Sequence, residues 1–287
     1  MTDTTPTVLV RRDAGVATIT LNAPHRLNAI DTAMGRALDR AFAETGTDPD
    51  VRVIVLTGAG RGFCAGASME RLAEVQDKGF GDIDAQQGDD KDVFACFADA
   101  PPQLRTRYTI PLAIPKPVIA AVNGPCAGAG LSLALACDIR LAAQSAKFVA
   151  SFAARGLVAE SACSFLLPRI VGLGFAAEML LSARPVSAEA ALRAGLVSAI
   201  EPDTDFSARI ADYARSIALS CAPSSLRFIK EQLLRAQTSD LPTSIALAAT
   251  GTRAAVASAD FAEGVRAYTE KRPPHFAPLD ATAAKKI

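Results

Sequence analysis

Apolar and polar positions alternate at the start of the chain. TVLVRR, a turn at Asp13-Ala14-Gly15 and VATITLN read as a β-hairpin. From about Asp31 the period changes, and Ile30, Met34, Leu38 and Phe42 recur at helical spacing. Two uninterrupted apolar runs follow, VRVIVLTG at 51–58 and PVIAAVNG at 117–124. Each is closed by glycine, the pattern of a strand buried on both faces. Behind the second run come the small residues Pro125-Cys126-Ala127-Gly128-Ala129-Gly130, then LSLALAC as a buried helix and IRLAA as a strand. SAEAALRAGLVSAIEP reads as a helix closed by Gly195, with a short strand after it. Strand, glycine turn, helix and strand in this order predict an α/β fold with parallel strands and covering helices.

Beyond Phe206 the pattern is helical. Phe206, Ile210, Tyr213 and Ile217 form one stripe; Leu226, Ile229 and Leu233 form another. Asp260-Phe261-Ala262-Glu263 has the spacing of a capping box ahead of Phe261, Val265 and Tyr268, and Pro273-Pro274 stops that helix. The chain therefore divides into an α/β core over 1–204 and a helical region over 205–287. Within the core, 74–110 is polar, glycine-bearing and weakly periodic. It predicts a long loop with one helix, an insertion of the kind that lies over a binding site.

Composition narrows the functional classes. The 287 residues are half apolar, enough for a sizeable core. Lys+Arg and Asp+Glu balance at 30 each. That argues against a nucleic-acid partner, whose affinity rests on neutralising phosphates. No apolar run reaches the roughly 18 residues of a membrane span, so no membrane partner is expected. The opening MTDTTPTVLVRRDAG lacks the basic and apolar regions of a secretory signal. Six scattered cysteines (Cys64, Cys96, Cys126, Cys137, Cys163, Cys221) without a CxxC pair predict reduced, mostly buried thiols and a cytoplasmic protein. The two histidines, His25 and His275, lie near opposite ends of the chain, so histidine chemistry is poorly supplied. No metal cluster is visible, and none is needed.

Two glycine turns carry the functional argument. Gly58-Ala59-Gly60-Arg61-Gly62-Phe63-Cys64-Ala65-Gly66-Ala67-Ser68 and Asn123-Gly124-Pro125-Cys126-Ala127-Gly128-Ala129-Gly130 each follow a buried strand. Either alone is most simply a tight strand-to-helix turn. Neither has the G-x-G-x-x-G spacing and distal acid of a dinucleotide site, nor the G-K-[ST] of a phosphate loop. Together they can offer two backbone N–H groups to one anionic oxygen. Ala129 stands at a helix start, where N–H groups are unpaired and the helix dipole favours negative charge.

RLNAI (26–30), GRGFCAGAS (60–68), IPKPVIAAVNGPCAGAGLSLALACDIRLA (114–142) and the 187–200 helix and strand resemble the crotonase superfamily, the enoyl-CoA hydratase/isomerase group. The resemblance is collinear over about 8–275. It implies a crotonase-like spiral of repeated ββα units and a C-terminal helical trimerisation region, with self-association into a trimer or a dimer of trimers. It also implies an acyl-CoA thioester substrate. Coenzyme A is then part of the substrate, and no separate cofactor is required. By position, the oxyanion-hole N–H groups would be those of Ala67 and Ala129, with Ala129 where hydratases usually have glycine. Ser68 stands where aspartate is usual. Arg26, Leu27, Ala65, Gly66, Gly128, Lys271 and Phe276 fall at substrate- and CoA-binding positions. As a simpler reading, Lys271 and Arg272 are cations that favour a helix C-terminus, and Phe276 anchors the tail.

An oxyanion hole needs a base beside it. The family's hydratases use two glutamates; this chain has Ser132 and Phe152 at those positions. Neither side chain can be a carboxylate base. FAARGLVAESACSFLLP (152–168) resembles, without a gap, the stretch of Δ3,Δ2-enoyl-CoA isomerases whose single glutamate corresponds to Glu160. One base suffices for isomerisation, because it takes a proton from C2 and returns it to C4. A glutamate just ahead of a helix is by itself more often an exposed first-turn charge. If catalytic, Glu160 should lie among Phe152, Leu157 and similar side chains, with its pKa raised by desolvation. Asp138 reads as a structural acceptor, Cys64 as a packed thiol, and a Ser132 nucleophile lacks a histidine.

The sequence thus favours an enoyl-CoA isomerase. One alternative is an enoyl-CoA hydratase or lyase that draws a second group from Glu74, Asp77, Asp82 or Asp84. Another is a non-catalytic acyl-CoA-binding protein.

Overall fold

The computed structural model describes residues 5–85 and 93–279, with the backbone alone for 80–85. The opening alternation forms a hairpin: β1 (Val8–Asp13) pairs antiparallel with β2 (Val16–Leu21) around Ala14 and Gly15, both at positive φ. In α1 (Thr32–Thr47), the Asp31 carboxylate accepts from Met34 N–H at 2.7 Å, and Met34, Leu38 and Phe42 are fully buried. β3 (Val53–Gly58) runs parallel to β2. After it come α2 (Met69–Ala85), α3 (Ile110–Ala113), β4 (Val118–Val122), β5 (Pro125–Ala127), α4 (Ala129–Ala136), β6 (Ile139–Ala143) and β7 (Lys147–Val149). Next are α5 (Cys163–Val171), α6 (Leu173–Ser182), β8 (Val186–Ser187), α7 (Ala188–Arg193) and β9 (Ala199–Glu201). The chain closes with α8 (Phe206–Ser220), α9 (Pro223–Ala236), α10 (Leu241–Val256) and α11 (Ala259–Thr269).

The main sheet has the order β1-β2-β3-β4-β6-β9, parallel except for the first pair. A smaller sheet, β5-β7-β8, stands beside it. Side chains of the central strands alternate between two cores. Ile54, Leu56, Val118, Ala120 and Val122 belong to one; Val53, Val55, Ile119 and Ala121 belong to the other. Burial on both faces is why β3 and β4 read as unbroken apolar runs.

The second core is covered by Phe206, Ile210, Ala214 and Ala218 of α8. The first helix of the 205–287 region thus packs as part of the core, and its buried stripe passes through Ala214, leaving Tyr213 exposed. Three other expectations need correction. The helix expected inside 74–110 begins earlier, at Met69, and only short turns and α3 follow it in the described part. α11 is capped by the Ser258 hydroxyl, which accepts from Phe261 N–H at 3.1 Å, so Asp260 is a first-turn residue and not the cap. The same helix ends at Thr269, where Lys271 turns left-handed (φ 53°) ahead of the prolines. Among the described residues no helix is long and apolar enough to cross a membrane.

Candidate active site

Both glycine turns leave the carboxyl ends of neighbouring parallel strands, β3 and β4, and are bonded side by side. Phe63 and Cys64 N–H both donate to Pro125 C=O at 3.1 Å, and Ala127 N–H donates to Cys64 C=O at 2.9 Å. Asn123 ties the strand ends together, its amide donating to Gly58 and Gly60 C=O at 2.8 and 2.9 Å. The RLNAI segment clasps the first turn from the other side. Fully buried Asn28 donates to Ala59 and Gly62 C=O at 2.9 and 2.7 Å. Ala65 N–H donates to Leu27 C=O, and Ile30 N–H to Gly66 C=O. Arg26 is held by Asp31 at 2.5 Å.

This pairing decides where Ala67 points. Ile30 bridges Ala67 in parallel fashion through Gly66 C=O and Ser68 N–H, so the N–H of Ala67 is directed away from Ile30. Ala129 opens α4, whose N-terminal residue Gly128 provides no side-chain cap, and the whole helix is buried. Its first N–H groups therefore face the turn with the positive end of the helix dipole behind them. The turns touch at this place: a Cβ on Gly66 (φ +101°) would lie 2.9 Å from Ala127 C=O and 3.4 Å from Ala129 N. Ser68 caps α2 by accepting from Arg71 N–H at 3.1 Å. Serine and aspartate are both favoured in that role.

Glu160 lies on the loop between β7 and α5. It is half-buried near Leu157, Ala159 and Ala162, which pack against the core, and burial raises its pKa. It does not cap α5, whose N-terminus carries no side-chain cap. Ser132 and Phe152 are both buried, and the Ser132 hydroxyl meets the Cys163 thiol at 3.2 Å. Cys64 is fully buried with its pKa pushed up to about 12 by desolvation, so at neutral pH it is a packed thiol and not a nucleophile. Asp138 accepts from Val118 N–H and from Lys230, both at 2.7 Å, a structural clamp between β4 and α9. His25 and His275 are exposed, as are Glu74 and Asp77 on α2, while the side chains of Asp82 and Asp84 lie outside those described.

Phe276 stays apart from the turns within one chain. Phe276 is buried, and its C=O accepts from Arg52 at 2.5 Å; Arg52 immediately precedes β3, at the end of the sheet opposite the turns. Lys271 is exposed close to it in sequence, and Arg272 is forked onto Glu263 at 2.6 and 3.0 Å. A cleft of about 1450 Å³ passes Ser161 and Ala162 beside Glu160 and is walled by 96–116 and α9, but neither Ala67 nor Ala129 lines it. Tyr108, which no sequence motif singles out, precedes α3 and packs against the main core. Burial raises the pKa of its phenol.

The model of the enoyl-CoA hydratase/isomerase family matches residues 11–278. The chain belongs to this family. Its similarity to named relatives is spread over nearly the whole length. It is 40% identical over 266 residues to a Rhodobacter capsulatus protein named "Probable enoyl-CoA hydratase", covering 91% of this chain and 94% of that one. It is 37% identical over 277 residues to the 1,2-epoxyphenylacetyl-CoA isomerase of Escherichia coli, covering 94% and 97%. Among solved structures, the enoyl-CoA hydratase of Bacillus anthracis superposes with a TM-score of 0.81 at 28% identity, over 94% of this chain and 99% of that one. Ser132 and Phe152 are buried and carry no carboxylate, and Glu160 is half-buried just ahead of α5.

Proposed function

We propose that the chain is an acyl-CoA enzyme that isomerises enoyl thioesters. Ala67 and Ala129 N–H hold the thioester oxygen and Glu160 acts as the single base. The observation that carries this reading is Glu160 itself: a carboxylate beside α5 with its pKa raised by burial, where Ser132 and Phe152 supply no base. On a 3-enoyl thioester, Glu160 takes a proton from C2 and becomes the acid. The negative charge spreads to the thioester oxygen, where the two N–H groups and the α4 dipole stabilise it. The double bond moves from C3–C4 to C2–C3 as the proton returns to C4, and Glu160 is again a carboxylate. Arg26, Leu27, Ala65, Gly66 and Gly128 line the approach of the thioester. Ile229, Leu233, Leu241, Ile245 and Tyr268, apolar and exposed on α9–α11, support self-association, which would bring Lys271 and Phe276 of one copy toward the turns of another.

Hydration is the second reading, favoured by relatives that carry the name hydratase, including the 2,3-dehydroadipyl-CoA hydratase of Escherichia coli at 33% identity. Parallel assays with 3-enoyl-CoA and 2-enoyl-CoA, wild type against Glu160→Gln, separate the two. Double-bond migration that falls at least about a hundredfold in the variant, with little hydration in either, is the expected result. Hydration that survives the substitution would reject Glu160 as the base. Tight thioester binding without turnover would select an acyl-CoA-binding protein.

A further inference from the structure

The N–H of Ala129 and the C=O of Gly128 belong to one peptide group, and that carbonyl is held from inside α4. Gly128 C=O accepts from Ser132 N–H at 3.0 Å, and the Ser132 hydroxyl reaches the same oxygen at 3.5 Å. On the other side, Gly128 N–H donates to Val149 C=O at 3.0 Å, which ties the turn to β7. Between these anchors Gly128 takes φ 50° and ψ −119°, a conformation open to glycine and strained for other residues. As the first residue of α4, Ala129 has an N–H with no partner inside the helix. Where that N–H points therefore depends on what holds the carbonyl behind it.

Ser132 is itself held. Its hydroxyl meets the Cys163 thiol at 3.2 Å, and both residues are buried where α4 packs on α5. A serine hydroxyl has one proton to donate. With that proton directed at Gly128 C=O, the thiol supplies the proton of the second bond. Burial pushes the Cys163 pKa up to about 11, so the thiol keeps its proton at neutral pH. The bonds then run in one direction: thiol to hydroxyl, hydroxyl to Gly128 C=O, and Ala129 N–H outward from the same peptide. Hydrogen bonds in such a chain polarise one another, and a carbonyl that accepts more makes its own peptide N–H a better donor.

We propose that Ser132 and Cys163 are positioning residues of the oxyanion hole, orienting and polarising the Gly128–Ala129 peptide from behind. The inference rests on the acyl-CoA reading above, in which Ala129 N–H holds the thioester oxygen. Both side chains act through the peptide. Cys163 N–H also donates to Glu160 C=O at 3.1 Å, a backbone bond that a side-chain substitution leaves in place. Substitutions at Cys163 thus address the hole and not the base.

Infrared difference spectra of bound hexanoyl-CoA carrying carbon-13 at C1 read the hole directly, because a saturated thioester binds without isomerising. Its carbonyl band should lie at lower wavenumber on wild type than in water. Ser132→Ala and Cys163→Ala should each return the band part of the way to its solution position. Cys163→Ser, which keeps a donor, should hold the wild-type position. With a 3-enoyl thioester the two alanine variants should lose about tenfold in kcat with KM nearly unchanged, less than on removing a hole donor outright. The band is read on folded, loaded protein, so a change in stability alone does not move it. A band that stays at the wild-type position in both alanine variants overturns the proposal. So does a Cys163→Ser band displaced as far as that of Cys163→Ala, which would leave packing as the only role. Wild type that binds hexanoyl-CoA without a carbonyl shift has no hole at this peptide, and wild type that binds no thioester refutes the acyl-CoA reading. The proposal falls with either.

Discussion

Burial raises the pKa of Glu160 above the ordinary glutamate value, and that has a consequence for the pH profile. A base acts only while deprotonated. Raising the pKa therefore moves the acid limb of kcat/KM upward, and isomerisation is lost as pH falls through the raised value. The limb should lie clearly above about 4.3 and should be absent from any residual activity of Glu160→Gln. A limb at or below the ordinary value in wild type would mean that the working base is a solvated carboxylate. Both turns are legible in the sequence because each is a short, gap-free motif whose neighbours along the chain are also its neighbours in space. The clamp of Arg107 onto Asp39 is not legible there. Arg107 lies in a weakly periodic stretch, and its partner Asp39 stands far away in the chain.

At the scale of elements, the approach of α4 to the first turn depends on one residue without a side chain. A Cβ on Gly130 would lie 2.4 Å from Cys64 C=O and 2.8 Å from Cys64 Cβ, inside contact distance of backbone that the turn cannot move freely. Gly130→Ala should therefore destabilise the fold by about 1–3 kcal/mol despite alanine's better helix propensity, lowering Tm by several degrees. Gly174, in the first turn of α6, is the control, because a Cβ there would meet nothing within 4 Å. There the same substitution should be neutral or raise Tm slightly. Equal effects at the two sites in a thermal melt would refute the close-approach argument. Strands β3 and β4 can be read from sequence because two-sided burial leaves a local signature. α2 cannot be bounded that way, because its exposed polar face dilutes the period and Gly79 (φ 75°) interrupts the helix. The cap of α11 misleads for a different reason: Asp260 and Glu263 have capping-box spacing, while the hydroxyl that bonds Phe261 N–H belongs to Ser258.

The whole molecule carries an apolar surface that one chain leaves uncovered. On α9 the residues that mark the apolar stripe in the sequence, Ile229 and Leu233, are 50% and 66% exposed, while Lys230 is buried. Lys230 is turned inward because its ammonium donates to Pro111 and Lys116 C=O at 2.6 and 2.9 Å and pairs with Asp138. Fixing that face inward turns the stripe outward. Leu241, Ile245, Val256, Phe261, Val265 and Tyr268 extend the exposed apolar character across α10 and α11. Surfaces of this kind mark interaction sites, and the commonest partner for such a face is another copy of the same chain. Leu233→Glu with Ile245→Glu should therefore shift the sedimentation coefficient to that of a smaller species while the far-ultraviolet spectrum of the core is kept. The pair also tests the reach of Lys271 and Phe276. Phe276 is anchored at the end of the sheet opposite the turns, so a contact of this tail with coenzyme A held at the turns is expected to come from another copy. Dissociation should then raise KM for the thioester by about tenfold or more and leave kcat less affected. Unchanged sedimentation would refute the interface, and a smaller species with unchanged KM would show that each chain completes its own CoA site.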